Sequence, residues 1–215
     1  YSPWYANQSL KSAYISKDKG ENVIMLRDEN GVTREAKFPD KIESISNVHW
    51  APNDEKLVAG INNQLFIYEE GLALWKKYLP NNHAIHYVYF KNDDEVLFSS
   101  DSNGDWQIWQ LNLQNMQLRQ VTTAGGYSVQ QGEDTRYLYL TKFNEAGLFQ
   151  LDIASGNEEL ILSGVKITSW NKWQIRGNNL YLMANNNLSR YTIDTHEKRN
   201  VFDFQQFQHL SFYFH

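Results

Sequence analysis

The stretch VHWAPNDEKLVA, residues 48–59, is similar in sequence to VYFKNDDEVLFS, residues 88–99, and this similarity indicates the fold. The two stretches are offset by forty residues, so Trp50 in the first corresponds to Phe90 in the second. Each combines alternating apolar and polar residues with an acidic, amide-rich turn, which is typical of two short strands joined by a tight loop. Similarity at a fixed period of about forty residues indicates a repeat architecture.

Extending the echo in both directions gives units of about forty residues, each with the pattern of four strands separated by turns. Four antiparallel strands make one blade of a β-propeller. The sequence therefore predicts an all-β fold, one β-propeller domain over residues 1–215, with about five four-stranded blades and the start of a sixth. The approximate blade boundaries are residues 1–40, 41–80, 81–125, 126–163, 164–204 and, for the partial blade, 205–215. A solenoid or a large β-sandwich is the alternative architecture for such serial strands.

The two ends of the chain suggest a piece of a larger propeller. The sequence opens on Tyr1 rather than Met, and residues 212–215, FYFH, have the composition of a strand that has just begun. We therefore expect either a missing C-terminal portion or an incomplete, open arrangement of blades.

Turn residues support the division into strands. Asn30-Gly31 and Asn62-Asn63 are pairs that tolerate the positive φ angles of tight hairpins. In the first unit we predict strands over residues 10–16, 23–27 and 33–38, with a turn over residues 17–20 between the first two. Nowhere does the sequence show a long apolar pattern of helical period, so we expect no helical domain.

Composition excludes several classes of function. The formal net charge is −5 and basic residues form no stripe, so we expect no direct contact with nucleic acid. The chain has no apolar run of the roughly 18–20 residues that a membrane helix needs, so we expect no membrane contact within it. Cysteine is absent, which excludes disulfides, thiolate metal sites and cysteine nucleophiles.

The repeats resemble the TolB-type, or PD40, WD40-like propeller repeat. The residues that carry this likeness are WAPNDEK at residues 50–56, SDSNG at residues 100–104, Ile108-Trp109 and QVT at residues 120–122. Two places depart from the family pattern: QGED at residues 131–134 replaces the aromatic-Pro-Asp-Gly turn, and QIRG at residues 174–177 shortens it. The resemblance implies the propeller fold and leaves function open, because one fold hosts many functions.

A narrower resemblance concerns residues 173–182, WQIRGNNLYL, and residues 190–194, RYTID. They look like the C-terminal periplasmic propeller of CadC/ToxR-type transcriptional regulators, which carry a cytoplasmic winged-helix domain and one membrane helix ahead of the propeller. The resemblance implies a non-enzymatic periplasmic sensor domain that binds a protein or a small molecule, within a parent anchored in the inner membrane.

Two other functions are compatible with the repeats. A TolB-like envelope scaffold would carry a signal peptide and a small N-terminal domain. The gating propeller of a prolyl-oligopeptidase-like serine peptidase would instead be accompanied by an α/β-hydrolase domain beyond this chain.

The acidic turn at residues 101–105, DSNGD, superficially matches the start of a calcium-binding loop. Trp106 and Asn112 stand where such a loop needs glycine and a bidentate glutamate, so hairpin chemistry is the better interpretation. His83 and His86 are spaced like helical metal ligands, but on a strand residues three apart point to opposite faces.

The remaining histidines are scattered along the chain, at positions His49, His196, His209 and His215. Residues 126–130, GYSVQ, lack the final glycine of a serine nucleophile motif and fall where the first strand of a blade belongs. The acidic groups at residues 93–95 and 133–134 occupy a repeated turn position, so we interpret them as solvated turn residues.

Several aromatic side chains could line a groove, but their recurrence at equivalent positions favours packing between blades; they are Trp50, Phe90, Trp106, Trp109, Trp170 and Trp173. The sequence thus predicts no catalytic residue, no cofactor site and no metal site, and it assigns no ligand-binding residue.

Overall fold

The computed structural model describes residues 4–79, 84–102, 104–164, 172–184 and 186–203. They form five antiparallel sheets of four strands each, the blades of a β-propeller, which confirms the predicted fold class. Apart from 3-10 conformation at Glu70–Leu72 and at Lys172, these residues contain no helix. The predicted partial sixth blade, residues 205–215, lies outside them.

The strands follow one another along the chain, and each blade pairs its four strands in sequence order. The strands of the first three blades are β1 (Trp4–Tyr5), β2 (Ser12–Asp18), β3 (Glu21–Arg27), β4 (Thr33–Glu35), β5 (Ile45–Trp50), β6 (Lys56–Ile61), β7 (Gln64–Glu69), β8 (Leu74–Lys77), β9 (Ile85–Asn92), β10 (Glu95–Ser100), β11 (Gln107–Asn112) and β12 (Leu118–Gln120). The strands of the last two blades are β13 (Ser128–Gln131), β14 (Tyr137–Thr141), β15 (Gly147–Asp152), β16 (Glu158–Ser163), β17 (Trp173–Arg176), β18 (Asn179–Ala184), β19 (Asn187–Thr192) and β20 (Glu197–Asp203).

The chain divides into two compact units, residues 1–129 and residues 130–215. The first unit contains the first three blades. The second contains the last two, and the boundary falls within β13.

Tight hairpins set the register of the strands, as their sequences predict. Asn62 and Asn63 have φ angles of 50° and 59°, and they close a hairpin in which Ile61 pairs with Gln64. In the first blade the predicted turn over residues 17–20 is too long. The turn consists of Lys19 and Gly20 alone, at φ 48° and 88°, because a two-residue turn of this hand matches the twist of the strands.

The aromatic residues of the opening echo belong to the core of the first unit. Trp50 is 2% exposed and its indole Nε1 donates to the Trp4 carbonyl at 3.1 Å. Phe90 is 1% exposed and packs with Val58 and Ile67 of the preceding blade. These two side chains therefore join neighbouring blades by apolar burial, as the recurrence of aromatics predicts.

Polar side chains on the first strand of one blade also bond to the backbone of the first strand of the next. Asn47, 2% exposed, accepts the Val88 N–H at 2.9 Å through Oδ1 and donates to the Val88 carbonyl at 2.8 Å through Nδ2. His49 accepts the Phe90 N–H through Nδ1 at 3.2 Å. We call such residues strand-bridging side chains.

The second unit repeats this device with a different residue. Gln130 accepts the Ile175 N–H at 3.0 Å through Oε1 and donates to the Trp173 carbonyl at 3.1 Å through Nε2. A single amide side chain thus satisfies a donor and an acceptor on the first strand of the following blade, since buried backbone groups need partners.

The acidic turn of the family pattern has a related structural role. Asp54 accepts the backbone N–H groups of Asn7 and Gln8, at 2.6 Å and 2.8 Å, from the blade before it. Burial alone would raise the pKa of Asp54, but these hydrogen bonds outweigh it and hold the pKa below its usual value. Asp93 likewise accepts the Asn53 N–H at 2.9 Å.

Replacing Asn47 by alanine should destabilise the protein more than any change at an exposed amide. The Asn47→Ala substitution leaves a buried N–H and a buried carbonyl of Val88 without partners, which should cost about 3 kcal/mol of unfolding free energy. Urea unfolding followed by tryptophan fluorescence measures this cost. Asn157→Ala is the control, because the Asn157 side chain is exposed and makes no hydrogen bond with any described residue. Equal effects of the two substitutions would contradict the bridging role.

Candidate functional site

The second unit contains a cavity of about 430 Å³. Its wall is formed by the loop between β13 and β14, the strands β14, β15 and β16, the turn Gly177-Asn178 and the turn after β19. The loop after β13 and the turn at Gly177 overlap the two places where the sequence departs from the family repeat, at residues 131–134 and 174–177. The cavity was not predicted from the sequence.

Two glycines allow the loops to approach each other. A Cβ atom on Gly132 would lie 3.1 Å from Cε2 of Tyr139 and 3.3 Å from Cγ2 of Ile175, so a side chain there would press on both. Gly177 has a φ of +56°, a conformation that glycine adopts without strain, and it faces the carboxylate of Glu133. A larger residue at position 132 would therefore require Tyr139 and Ile175 to shift by a few tenths of an ångström.

Four carboxylates line the cavity: Glu133, Asp134, Glu159 and Asp194. Asp134 accepts the Arg136 backbone N–H at 2.9 Å, and Asp194 accepts from Nδ2 of Asn178 at 2.8 Å. Each of these contacts uses one oxygen of the carboxylate, so further lone pairs can meet a ligand. Glu133 and Asp134 are the exposed turn residues that the sequence predicts, and in addition they form part of this wall.

Tyr139 lies at the buried side of the cavity, with 5% of its surface exposed. Burial raises the pKa of its phenol, and the carboxylates of Asp134 and Asp194 raise it further. The hydroxyl therefore stays protonated and can donate a hydrogen bond. Among the described residues it has no hydrogen-bond partner.

His196 lines another part of the wall and is held by Tyr191. The Tyr191 hydroxyl donates to the Ile161 carbonyl at 2.6 Å and lies 2.7 Å from Nδ1 of His196. Since that hydroxyl proton is already used, Nδ1 of His196 must be the donor in the second contact. Burial raises the pKa of Tyr191, and Glu159 adds to the effect. The hydrogen bond between Tyr191 and His196 uses Nδ1 of the histidine ring. The other ring nitrogen of His196, Nε2, is left for further contacts.

In the third blade, the acidic stretch that begins at Asp101 is closed by a backbone hydrogen bond, as expected for a hairpin turn. Asp101 accepts the Gly104 N–H at 2.8 Å through its backbone carbonyl, and Gly104 has a φ of +94°. Asn103 of the same turn lies outside the described residues.

The prediction that His83 and His86 do not share a metal ion stays a prediction, because His83 lies outside the described residues. His86 packs edge-on against Trp106 with ring centroids 4.4 Å apart, and Trp106 packs similarly against Tyr127 at 5.8 Å. This contact is within the first unit and is separate from the cavity.

The remaining predicted candidates that the structure describes are buried or half-buried. Ser128 is 1% exposed within β13, so its hydroxyl is not placed as an accessible nucleophile. Trp173 is 3% exposed and joins the core of the second unit, whereas Trp109 is half-buried. Trp170, His209 and His215 lie outside the described part of the chain.

A search of the described ranges finds no group of three or more histidine, aspartate or glutamate side chains that could hold a metal ion. In the same ranges no helix has the length and apolar character needed to cross a membrane.

Comparison by sequence finds no relative. No model of a known protein family matches the chain. No curated protein matches it either.

Comparison by structure finds many similar chains. TolB from Acinetobacter baumannii matches 93% of this chain, with 17% identity and a TM-score of 0.71. A chain from the Nidogen/Laminin complex matches 95%, with 9% identity and a TM-score of 0.74. A puromycin-hydrolyzing peptidase of Mycobacterium tuberculosis matches 92%, with 11% identity and a TM-score of 0.69.

These similarities support a TolB-like β-propeller fold. The chain spans 53% of the TolB chain, 80% of the Nidogen/Laminin chain and 37% of the peptidase chain. Because every identity is low and a fold hosts many functions, the comparisons show the architecture alone.

Proposed function

We propose that this chain is a non-enzymatic propeller that binds a ligand or a protein. The observation that carries this proposal is the cavity of the second unit. Its volume of about 430 Å³ lies within the range of ligand pockets, about 300–1,000 Å³. Its wall places the rings of Tyr137 and Tyr139 beside four carboxylates, so polar groups that could orient a bound molecule converge there.

We further propose that the propeller is the periplasmic sensor domain of an inner-membrane, winged-helix transcriptional regulator. The resemblance of residues 173–182 and 190–194 to CadC/ToxR-type propellers supports this role. Those two stretches supply Gly177, Asn178, Ile193 and Asp194 to the cavity wall. The part of the chain that suggests a sensor is therefore also the part that shapes the site.

Two other roles have an observation in their favour. The structural similarity to TolB favours an envelope scaffold. The similarity to a puromycin-hydrolyzing peptidase favours the non-catalytic gating propeller of a larger serine peptidase.

The gene that encodes the parent protein separates the three roles. A sensor requires a winged helix and one membrane span upstream of this sequence. A scaffold requires a signal peptide and a small N-terminal domain, and a gating propeller requires a downstream α/β-hydrolase domain with a Gly-x-Ser-x-Gly turn. We expect the first arrangement. A parent gene without an upstream winged helix and membrane span would contradict the sensor role.

Filling the cavity should abolish ligand binding without unfolding the protein. Gln150 is half-buried on β15 and lines the cavity, so the Gln150→Trp substitution places a large ring in it. Saturation-transfer NMR with a panel of amines, amino-acid amides, dipeptides and monosaccharides, each at about 1 mM, is expected to show at least one bound class. Gln150→Trp should remove that signal.

Gln174→Trp is the matched control, because Gln174 is exposed on β17 and does not line the cavity. It should retain the signal of the unmodified protein. Absence of binding by every class, or binding that survives in Gln150→Trp, would contradict the proposed site.

A further inference from the structure

The cavity carries an excess of negative charge. Four carboxylates line it, and no lysine or arginine is among its lining residues in the described part of the chain. The neighbouring Arg136 is already bound by Asp152, with Nη2–Oδ2 and Nε–Oδ2 distances of 2.6 Å and 2.8 Å. Grouped charges of one sign inside a concave wall attract a ligand of the opposite sign.

The side chain of Tyr139 is a second and independent indication of a ligand. The residue is buried, at 5% exposure, and it lines the cavity, so its hydroxyl is reached from the cavity. The hydroxyl has no hydrogen-bond partner among the described residues, and it lies near the carboxylates of Asp134 and Asp194. A molecule bound between these carboxylates would come against the phenol.

One cation that the chain places against a tyrosine and a carboxylate is a guanidinium, whereas the ammonium of Lys142 is placed against Phe149 and Glu158. Arg136 places its guanidinium 5.0 Å from the ring centroid of Tyr137 while it binds Asp152. A guanidinium that contacts a tyrosine and a carboxylate at once uses its planar fork for the acid and its face for the ring.

The same triad recurs in the first unit. Arg34 donates to the Tyr68 hydroxyl at 2.6 Å and to Glu70 at 3.2 Å, with its guanidinium 5.8 Å from the Tyr68 ring centroid. The cavity offers tyrosines and carboxylates in the same combination and lacks only the guanidinium.

We propose that the cavity binds a guanidinium group, supplied by a small arginine-like molecule or by an arginine side chain of a peptide. In this arrangement the carboxylates of Asp134 and Asp194 accept its N–H groups, and its plane stacks on the tyrosine wall formed by Tyr137 and Tyr139. The inference rests on the proposed binding function and specifies the class of ligand.

Isothermal titration with N-acetyl-arginine amide, whose only charge is the guanidinium, tests the ligand class. We expect a Kd of about 1 mM or tighter, the range for one small charged ligand. N-acetyl-citrulline amide has nearly the same shape without the charge, and should bind at least about tenfold more weakly. Raising the salt concentration should weaken the arginine probe and not the citrulline probe.

Substitutions in the wall test the location. Asp134→Asn and Asp194→Asn keep the side-chain shape and remove one charge each, so each should raise the Kd of the arginine probe about fivefold or more. Asp18→Asn is the control, because Asp18 is exposed in the first unit and does not line the cavity. Thermal unfolding of every variant establishes that it is folded.

The tripeptide Gly-Arg-Gly with blocked ends distinguishes the two sources of the guanidinium. Tighter binding of the tripeptide than of the single residue supports a peptide ligand, and equal binding supports a small molecule. Both results uphold the guanidinium site.

The inference is overturned if the arginine probe does not bind up to about 20 mM, if the citrulline probe binds equally well, or if both wall variants behave like Asp18→Asn. Should another class in the NMR panel bind while the arginine probe does not, the guanidinium inference alone fails. When no class binds, the proposed binding function fails with it.

Discussion

At two blade boundaries, side chains on one first strand satisfy the backbone of the neighbouring first strand. Asn47 bonds to both polar groups of the Val88 backbone, and Gln130 does the same for the first strand of the fifth blade through two residues. Each four-stranded sheet has two faces that must be covered by other parts of the protein. The hydrogen bonds between first strands fix how the next blade packs against one of these faces. Apolar burial of residues such as Trp50 then stabilises the same boundary.

The departures from the family repeat in the second unit leave the hydrogen bonds between first strands in place. Gln130 makes these bonds, while the loop at residues 132–136 and the turn Gly177-Asn178 keep the lengths of the loops at residues 51–55 and 93–94 in the first unit. The cavity lies beside the loop and the turn of the second unit. Loops that differ in sequence at constant length can change the chemistry of a surface without changing the strands.

Local patterns made much of the fold predictable. A period of forty residues, the pairs Asn30-Gly31 and Asn62-Asn63, and alternating strands indicated the blades because strand period and turn conformation are local properties. The cavity was not predictable in this way. Tyr139, Asp134 and Asp194 lie in different strands and turns, and the pairing of strands far apart in the sequence brings them to one cavity. The departure at residues 131–134 was visible in the sequence, but its consequence for packing was not.

We propose above that the carboxylate and tyrosine wall of the second unit is a recognition site. Intermolecular nuclear Overhauser effects report directly which protons of the protein touch a bound molecule. With N-acetyl-arginine amide in excess, we expect effects between the side-chain methylenes of the probe and the ring protons of Tyr137 and Tyr139. Effects confined to residues outside the cavity, or none from a probe that binds, would contradict it.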